Sequence, residues 1–305
     1  MITSADLTSL EHHLMSRDPA KTLTLKHDLV YALVDAAPPG WLRMDLVCRA
    51  TVDVQDFTLT VLTADGHAVM DIPDEAVEVV LRLRSEYYEP GEGTWFSLRF
   101  IVDPPTRFRI IHNLGWDPEW QSAVDPQAWT RDLEAFPRDA AHIPPWLRDR
   151  LGQPVDASPP GPLDEQRLWV EIANRLALSV PTDWAQVTVT YRVIGDHSEL
   201  PVLIRRFTDG TSRPWEPPPG IVERLARLRA GMYRPGRGTW FQVVAHLLGD
   251  VSIEFEYTWD DQPAWDVPPP VSAFVNELAT FPRDSRRVPA WWTERLGPVA
   301  KAFPY

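Results

Sequence analysis

The chain has 305 residues, 44% apolar and 24% charged, with fourteen Trp, a single cysteine at Cys48 and a net charge of -13. That length fits two cores of about 150 residues better than one, and the negative charge argues against direct nucleic-acid binding. One cysteine leaves neither an intramolecular disulfide nor a cysteine-based zinc site, and no run reaches the ~20 apolar residues of a membrane span. The expected setting is a reducing cytoplasm.

In chain order, residues 1–20 carry Asp6, Glu11, Arg17 and Asp18, lack a secretory apolar core, and are expected to be a poorly structured extension. Leu23–Ala36 has apolar residues at helical spacing. Trp41–Thr51 and Phe57–Thr63 alternate and are rich in β-branched residues, which predicts two strands before the turn Ala64-Asp65-Gly66. Pro73–Tyr87 returns to helical spacing behind a proline. Thr94–Val102 and Phe108–Asn113 read as strands, Pro126–Phe136 as a helix, and Pro144–Leu151 as a short helical turn.

The second half repeats this order. Tyr87–Gly152 aligns without a gap to Met232–Gly297 at an offset of 145, with 20 of 66 positions identical. PGEGTWF at Pro90–Phe96 matches PGRGTWF at Pro235–Phe241, FPRD at 136–139 matches 281–284, and Trp41 matches Trp184 at an offset of 143. Asp164–Leu178 is then the second copy's first helix, capped by Asp164, Pro219–Met232 its second, and Thr239–Leu248 and Ser252–Trp259 its later strands. The expected fold class is α+β: two tandem α-β-β-α-β-β-α modules, each an antiparallel sheet with helices packed on one face. The boundaries are 1–152 and 164–305, joined by a proline-rich linker over 153–163.

Several clusters could carry chemistry. Gly91-x-Gly93-Thr94 has the glycines of a phosphate cradle but leads from a helix into a strand, the reverse of a phosphate loop, so a helix cap and turn is expected. Arg138 of Phe-Pro-Arg-Asp is expected to tie the chain to a carboxylate or to helix-end carbonyls. Trp116-Asp117-Pro118-Glu119-Trp120 and Trp259-Asp260-Asp261-Gln262-Pro263-Ala264-Trp265 set aromatic anchors beside carboxylates. That is what an interface with a basic partner uses, and equally what a packed loop pinned by its Pro and Trp contains. Trp116, Asp117, Glu119, Trp259, Asp260 and Asp261 are the candidate partner-binding residues. As a recognition surface they should be exposed and lack internal ion-pair partners.

The histidines do not coincide between copies: His112 faces Tyr257, His142 faces Arg287, and His246 faces Ile101. No hydrolase, zinc-protease or metal-ligand spacing occurs, so no catalytic residue, metal or cofactor is expected.

The series Tyr-x-Pro-Gly-x-Gly-Thr-Trp-Phe, two strands, an acidic aromatic loop, Leu-x-x-Phe-Pro-Arg and Ile/Val-Pro-x-Trp resembles the YezG-like immunity (antitoxin) family of bacterial polymorphic toxin systems, here present twice. The resemblance implies a cytosolic protein that binds and neutralises a cognate secreted toxin domain, often a nuclease, and is not an enzyme. The family's Tyr-Asp at the start of the acidic loop is Trp259-Asp260 in the second copy and Leu114-Gly115 in the first. Alternatives are a non-catalytic scaffold or regulator with a groove between the halves, or a degenerate enzyme or nucleotide-binding protein. Residues 1–152 hold 14 basic and 24 acidic side chains and the remainder 16 and 19, so the first half is expected to steer a basic toxin.

Overall fold

A computed structural model describes residues 3–5, 18–120, 122–154 and 164–296. The chain divides into two compact units, Leu7–Pro160 with Asn174–Asp183, and Met1–Asp6 with Gly161–Ala173 and Trp184–Tyr305. The division therefore departs from the expected boundaries in two places: Asn174–Asp183, from the second copy, goes with the first sheet, and residues 3–5 go with the second. Of the expected linker, residues 155–163 lie outside the described residues.

In the first unit, helix α1 (Pro19–Asp35) opens where Asp18 accepts the Lys21 amide at 3.0 Å, with Pro19 in the first turn, and buries Leu25, Leu29, Val30 and Leu33. Strands β2 (Arg43–Ala50), β3 (Gln55–Thr63), β4 (Gly66–Met70), β5 (Ser97–Asp103) and β6 (Arg107–Asn113) form an antiparallel sheet in the order β4-β3-β2-β5-β6. Leu46 stands opposite Leu59 and Phe100, so alternate residues reach a core shared with α1 and with helix α2 (Asp74–Glu86). Strand β4 was not expected. Its first four residues are exposed, so it lacks the apolar alternation that betrays a strand. A smaller aromatic core, Phe96, Trp129 and Leu147, gathers helices α3 (Pro126–Ala135) and α4 (Pro145–Arg150).

The other face of this sheet is buried and charged. Arg99 Nε donates to Asp45 Oδ1 at 2.9 Å, and Arg43 Nε to Asp103 Oδ1 at 2.7 Å, all four side chains about 2% exposed. Arg99 Nη1 also donates to the carbonyls of Ala177 and Val180 at 2.7 Å, and Arg43 Nη1 to Thr182 at 3.1 Å. The segment 174–183, which includes the end of helix α5 (Glu165–Ser179), thus covers strands whose guanidinium groups satisfy its backbone. Burial pushes the Asp103 carboxyl up, but the hydrogen bonds and charges of Arg43 and Arg109 hold it below the usual range.

In the second unit, Asp164 caps α5 by accepting the Arg167 amide at 2.9 Å, as its position in the sequence predicts. Strands β7 (Trp184–Ile194), β8 (His197–Glu199), β9 (Val202–Arg206), β10 (Ser212–Pro214), β11 (Gln242–Leu248) and β12 (Ile253–Thr258) form a second antiparallel sheet, with helices α6 (Ile221–Gly231), α7 (Val271–Thr280) and α8 (Ala290–Leu296). Between β8 and β9 stands Pro201, which has no amide to donate to a ladder. Strand β1 (Thr3–Ala5), from the stretch expected to be poorly structured, pairs with β12, Ser4 opposite Glu254. Residues 6–17 lie outside the described residues. Trp169 stacks on Phe255 at 4.5 Å and donates its indole N–H to the Tyr257 hydroxyl at 2.8 Å. Both modules are thus α+β, each an antiparallel sheet packed with helices.

Candidate recognition loops

The motifs shared by the two copies close on one another. The Asp139 amide donates to the Gly91 carbonyl at 2.6 Å, and the Asp284 amide to Gly236 at 2.7 Å. Gly91 and Gly93 have φ of 83° and 85°, and Gly236 and Gly238 of 74° and 80°. A Cβ on Gly91 would stand 2.6 Å from Asp139, and one on Gly93 would overlap the Arg138 side chain, with the same overlaps in the second copy. Only glycine meets both demands, a left-handed backbone and room for the neighbouring motif. Arg138 donates to the Thr94 carbonyl and lies 4.2 Å over Phe96, while Arg283 donates to Thr239 and lies 4.4 Å over Phe241. Burial lowers the Arg138 guanidinium to about 10, so it stays charged at neutral pH. The glycine turn and Phe-Pro-Arg-Asp form one structural clamp, not an anion cradle.

Beneath each clamp lies an ion pair that the sequence does not announce. Arg84 donates to Asp132 at 2.9 Å and to the Trp95 carbonyl at 3.1 Å, and Arg229 to Glu277 at 2.6 Å and to Trp240 at 2.8 Å. The same carboxylates accept backbone amides, Val52 at 2.9 Å and Gly195 at 2.7 Å. An Arg on the apolar side of a helix, repeated at the offset of 145, was the available signal.

The loops that follow β6 and β12 are gripped by their backbones. The Trp146 indole donates to the Gly115 carbonyl at 2.9 Å, and its counterpart Trp291 to Asp260 at 3.0 Å. Arg138 reaches the Leu114 carbonyl at 3.4 Å, and Arg283 the Trp259 carbonyl at 3.2 Å. Pro118 and Pro263 are buried, and Trp120 and Trp265 pack into the small cores. The side chains carried by these matched carbonyls differ, Leu114 and Gly115 against Trp259 and Asp260, and so do those of the next two positions, Trp116 and Asp117 against Asp261 and Gln262.

The expectation that the six candidates lack internal partners is corrected for most of them. Asp117 pairs with Arg150 at 2.6 Å and accepts the Glu119 amide at 3.1 Å, and Glu119 pairs with Arg175. Arg175 also lies 5.0 Å over the half-buried Trp116. Glu119 adopts φ of 54°, a left-handed conformation costly for a residue with a side chain. The first loop is therefore closed by its own charges. In the second, Trp259 is half-buried between Arg234 at 5.2 Å and Arg237 at 4.7 Å, and Asp260, 58% exposed, stands 3.4 Å from Arg283. Asp261 alone meets the expectation: it is exposed, with no hydrogen bond or ion pair among the described residues. The missing signal was the position of each arginine, which is remote in sequence from the carboxylate it neutralises.

Beside the second loop, Gln262, Pro263, Ala264, Trp265, Pro268 and Arg295 line an open cleft of about 360 Å³. Among the described residues no group of three His, Cys, Asp or Glu could hold a metal ion, and no helix is long and apolar enough to cross a membrane. Burial pushes the Cys48 thiol far above its ordinary range, which keeps it a neutral core group. Comparison with protein-family models finds no match, and comparison with curated proteins finds none either.

Proposed function

We propose that the chain is a cytoplasmic immunity protein that binds and neutralises a cognate secreted bacterial toxin domain by protein contact, without a catalytic site or cofactor of its own. The observation that carries this reading is the grip on the two loops. Each is held through main-chain carbonyls by shared Arg and Trp side chains, so its own side chains change between copies without disturbing the frame. A rigid frame presenting variable side chains is how binding loops are built. The motifs that resemble the immunity family are the frame itself, which supports a family that keeps a scaffold and varies its target.

The second loop is the better recognition surface, because Asp261 has no hydrogen bond or ion pair among the described residues and Asp260 is mostly exposed. The first loop spends Asp117 and Glu119 on Arg150 and Arg175. This reverses the assignment made from net charge, which pointed to the first half. Co-expression with the toxin domain encoded beside the gene tests the reading. A stable complex and rescue of growth are expected; a toxin neither bound nor neutralised would reject it.

A further inference from the structure

The two sheets differ most on the face turned away from their main helices. In the second sheet, Leu203, Thr188, His246 and Glu254 stand in one row across the strands, and Val244 lies opposite Glu256 in the next. Leu203, Glu254 and Glu256 are exposed and the other three half-buried, so no described segment covers this face. Its arginines are already engaged, Arg192 with Glu199 and Asp266, and Arg205 with the side-chain carbonyl of Gln186. Glu254 and Glu256 make no hydrogen bond or ion pair among the described residues.

The matching face of the first sheet shows what such a surface can hold. There the segment 174–183 lies across the strands, its carbonyls taking hydrogen bonds from Arg99 and Arg43. At the offset of 145, Arg109 of that face becomes Glu254 and the buried Ile111 becomes Glu256. A segment laid over the second sheet therefore meets two carboxylates where the first presents a cation and an apolar side chain, and must bring cations of its own. Along the chain, the exposed Glu254 and Glu256 are followed by the exposed Asp260 and Asp261 of the second loop.

We infer that this open face is a docking surface for a lysine- and arginine-rich segment of a partner protein. The inference rests on the reading that the chain binds a basic toxin domain, and names the face that domain covers. Leu203 and Val244 supply apolar contact beneath the segment, and Glu254 and Glu256 pair with its cations.

The test uses the full chain and the toxin domain encoded beside the gene, purified as an inactive variant. Affinity is measured for the wild type, for Glu254→Arg with Glu256→Arg, and for the charge-matched control Glu78→Arg with Glu223→Arg on exposed positions of α2 and α6. The expected result is binding at least tenfold weaker for the first variant, with its melting temperature unchanged and the control near wild type. The wild-type affinity should also fall when salt is raised from about 0.05 to 0.3 M. If the wild type binds and Glu254→Arg with Glu256→Arg binds equally well, the docking face is wrong while the immunity reading stands. If that variant changes only self-association, the face belongs to a second copy of this chain and the inference is likewise overturned. If the wild type does not bind the toxin domain, both readings fall.

Discussion

Two copies of one module have kept the same apolar core side of the sheet and diverged on the other. In the first, Arg99–Asp45 and Arg43–Asp103 are buried under the segment 174–183; in the second, the positions of Asp45 and Arg99 are Thr188 and Val244, half-buried and neutral. The contrast shows how duplication frees a surface. Once one copy uses that face to pack a covering segment, the other need not, and its residues can serve recognition. Buried ion pairs are retained only where every charge finds a partner, because removing one partner strands the other in a low dielectric.

The two sheets should differ most in their dependence on Arg99. Arg99→Val leaves Asp45 buried without its cation and the carbonyls of Ala177 and Val180 without a donor, and should cost about 3–5 kcal/mol in denaturant unfolding. Adding Asp45→Thr, so that the first sheet carries the second's residues, should recover the part of the loss that comes from the stranded carboxylate, leaving the cost of the two undonated carbonyls. Equal instability of the single and double variants would mean that the ion pair is not what holds this face.

Truncation of the paired core Trp should affect both copies alike. Trp95→Ala and Trp240→Ala each remove a fully buried indole and should each cost roughly 3–5 kcal/mol. A large difference between them in thermal unfolding would show that the copies no longer share one core design.

The copies also differ in their response to acid. His112 of the first lies 4.3 Å from the Tyr87 ring, and the second copy has Tyr257 and Met232 at these two positions. Burial, aided by the nearby charge of Lys26, lowers the His112 imidazole from 6.5 to about 3. Below pH 6.5 the unfolded chain takes up a proton that the folded chain refuses until about pH 3, so stability is lost as pH falls through that window. The slope is up to about 1.4 kcal/mol per pH unit. Tyr87→Met with His112→Tyr should flatten this part of the stability profile measured by urea unfolding; an unchanged slope would clear His112 of the effect.

The smallest stability effects are expected in the loops, where they separate frame from recognition. Trp116→Ala loses the Arg175 contact and should cost about 1 kcal/mol. Asp261→Ala should change stability by no more than about 0.5 kcal/mol yet weaken toxin binding on titration. A destabilising Asp261→Ala with unaltered affinity would make the second loop structural like the first.

The duplication, the order of most elements, the cap at Asp164 and the turn role of the glycines were legible in the sequence, because each rests on a local signal or on identity at a constant offset. Strand β4 was not, since its exposed residues carry no alternation. Nor was the division of the chain, because Asn174–Asp183 reads as an ordinary helix end until Arg99 and Arg43 are seen donating to it. The candidate residues do fall in the loops after β6 and β12, but Asp117, Glu119 and Asp260 were expected to be free. A carboxylate's availability depends on which distant arginine reaches it, as Arg150 reaches Asp117 and Arg175 reaches Glu119. Sequence spacing determined what could repeat; only the tertiary fold decided which charges were neutralised and which of the two sheets has a face that no described segment covers, because both follow from contacts between residues far apart in the chain.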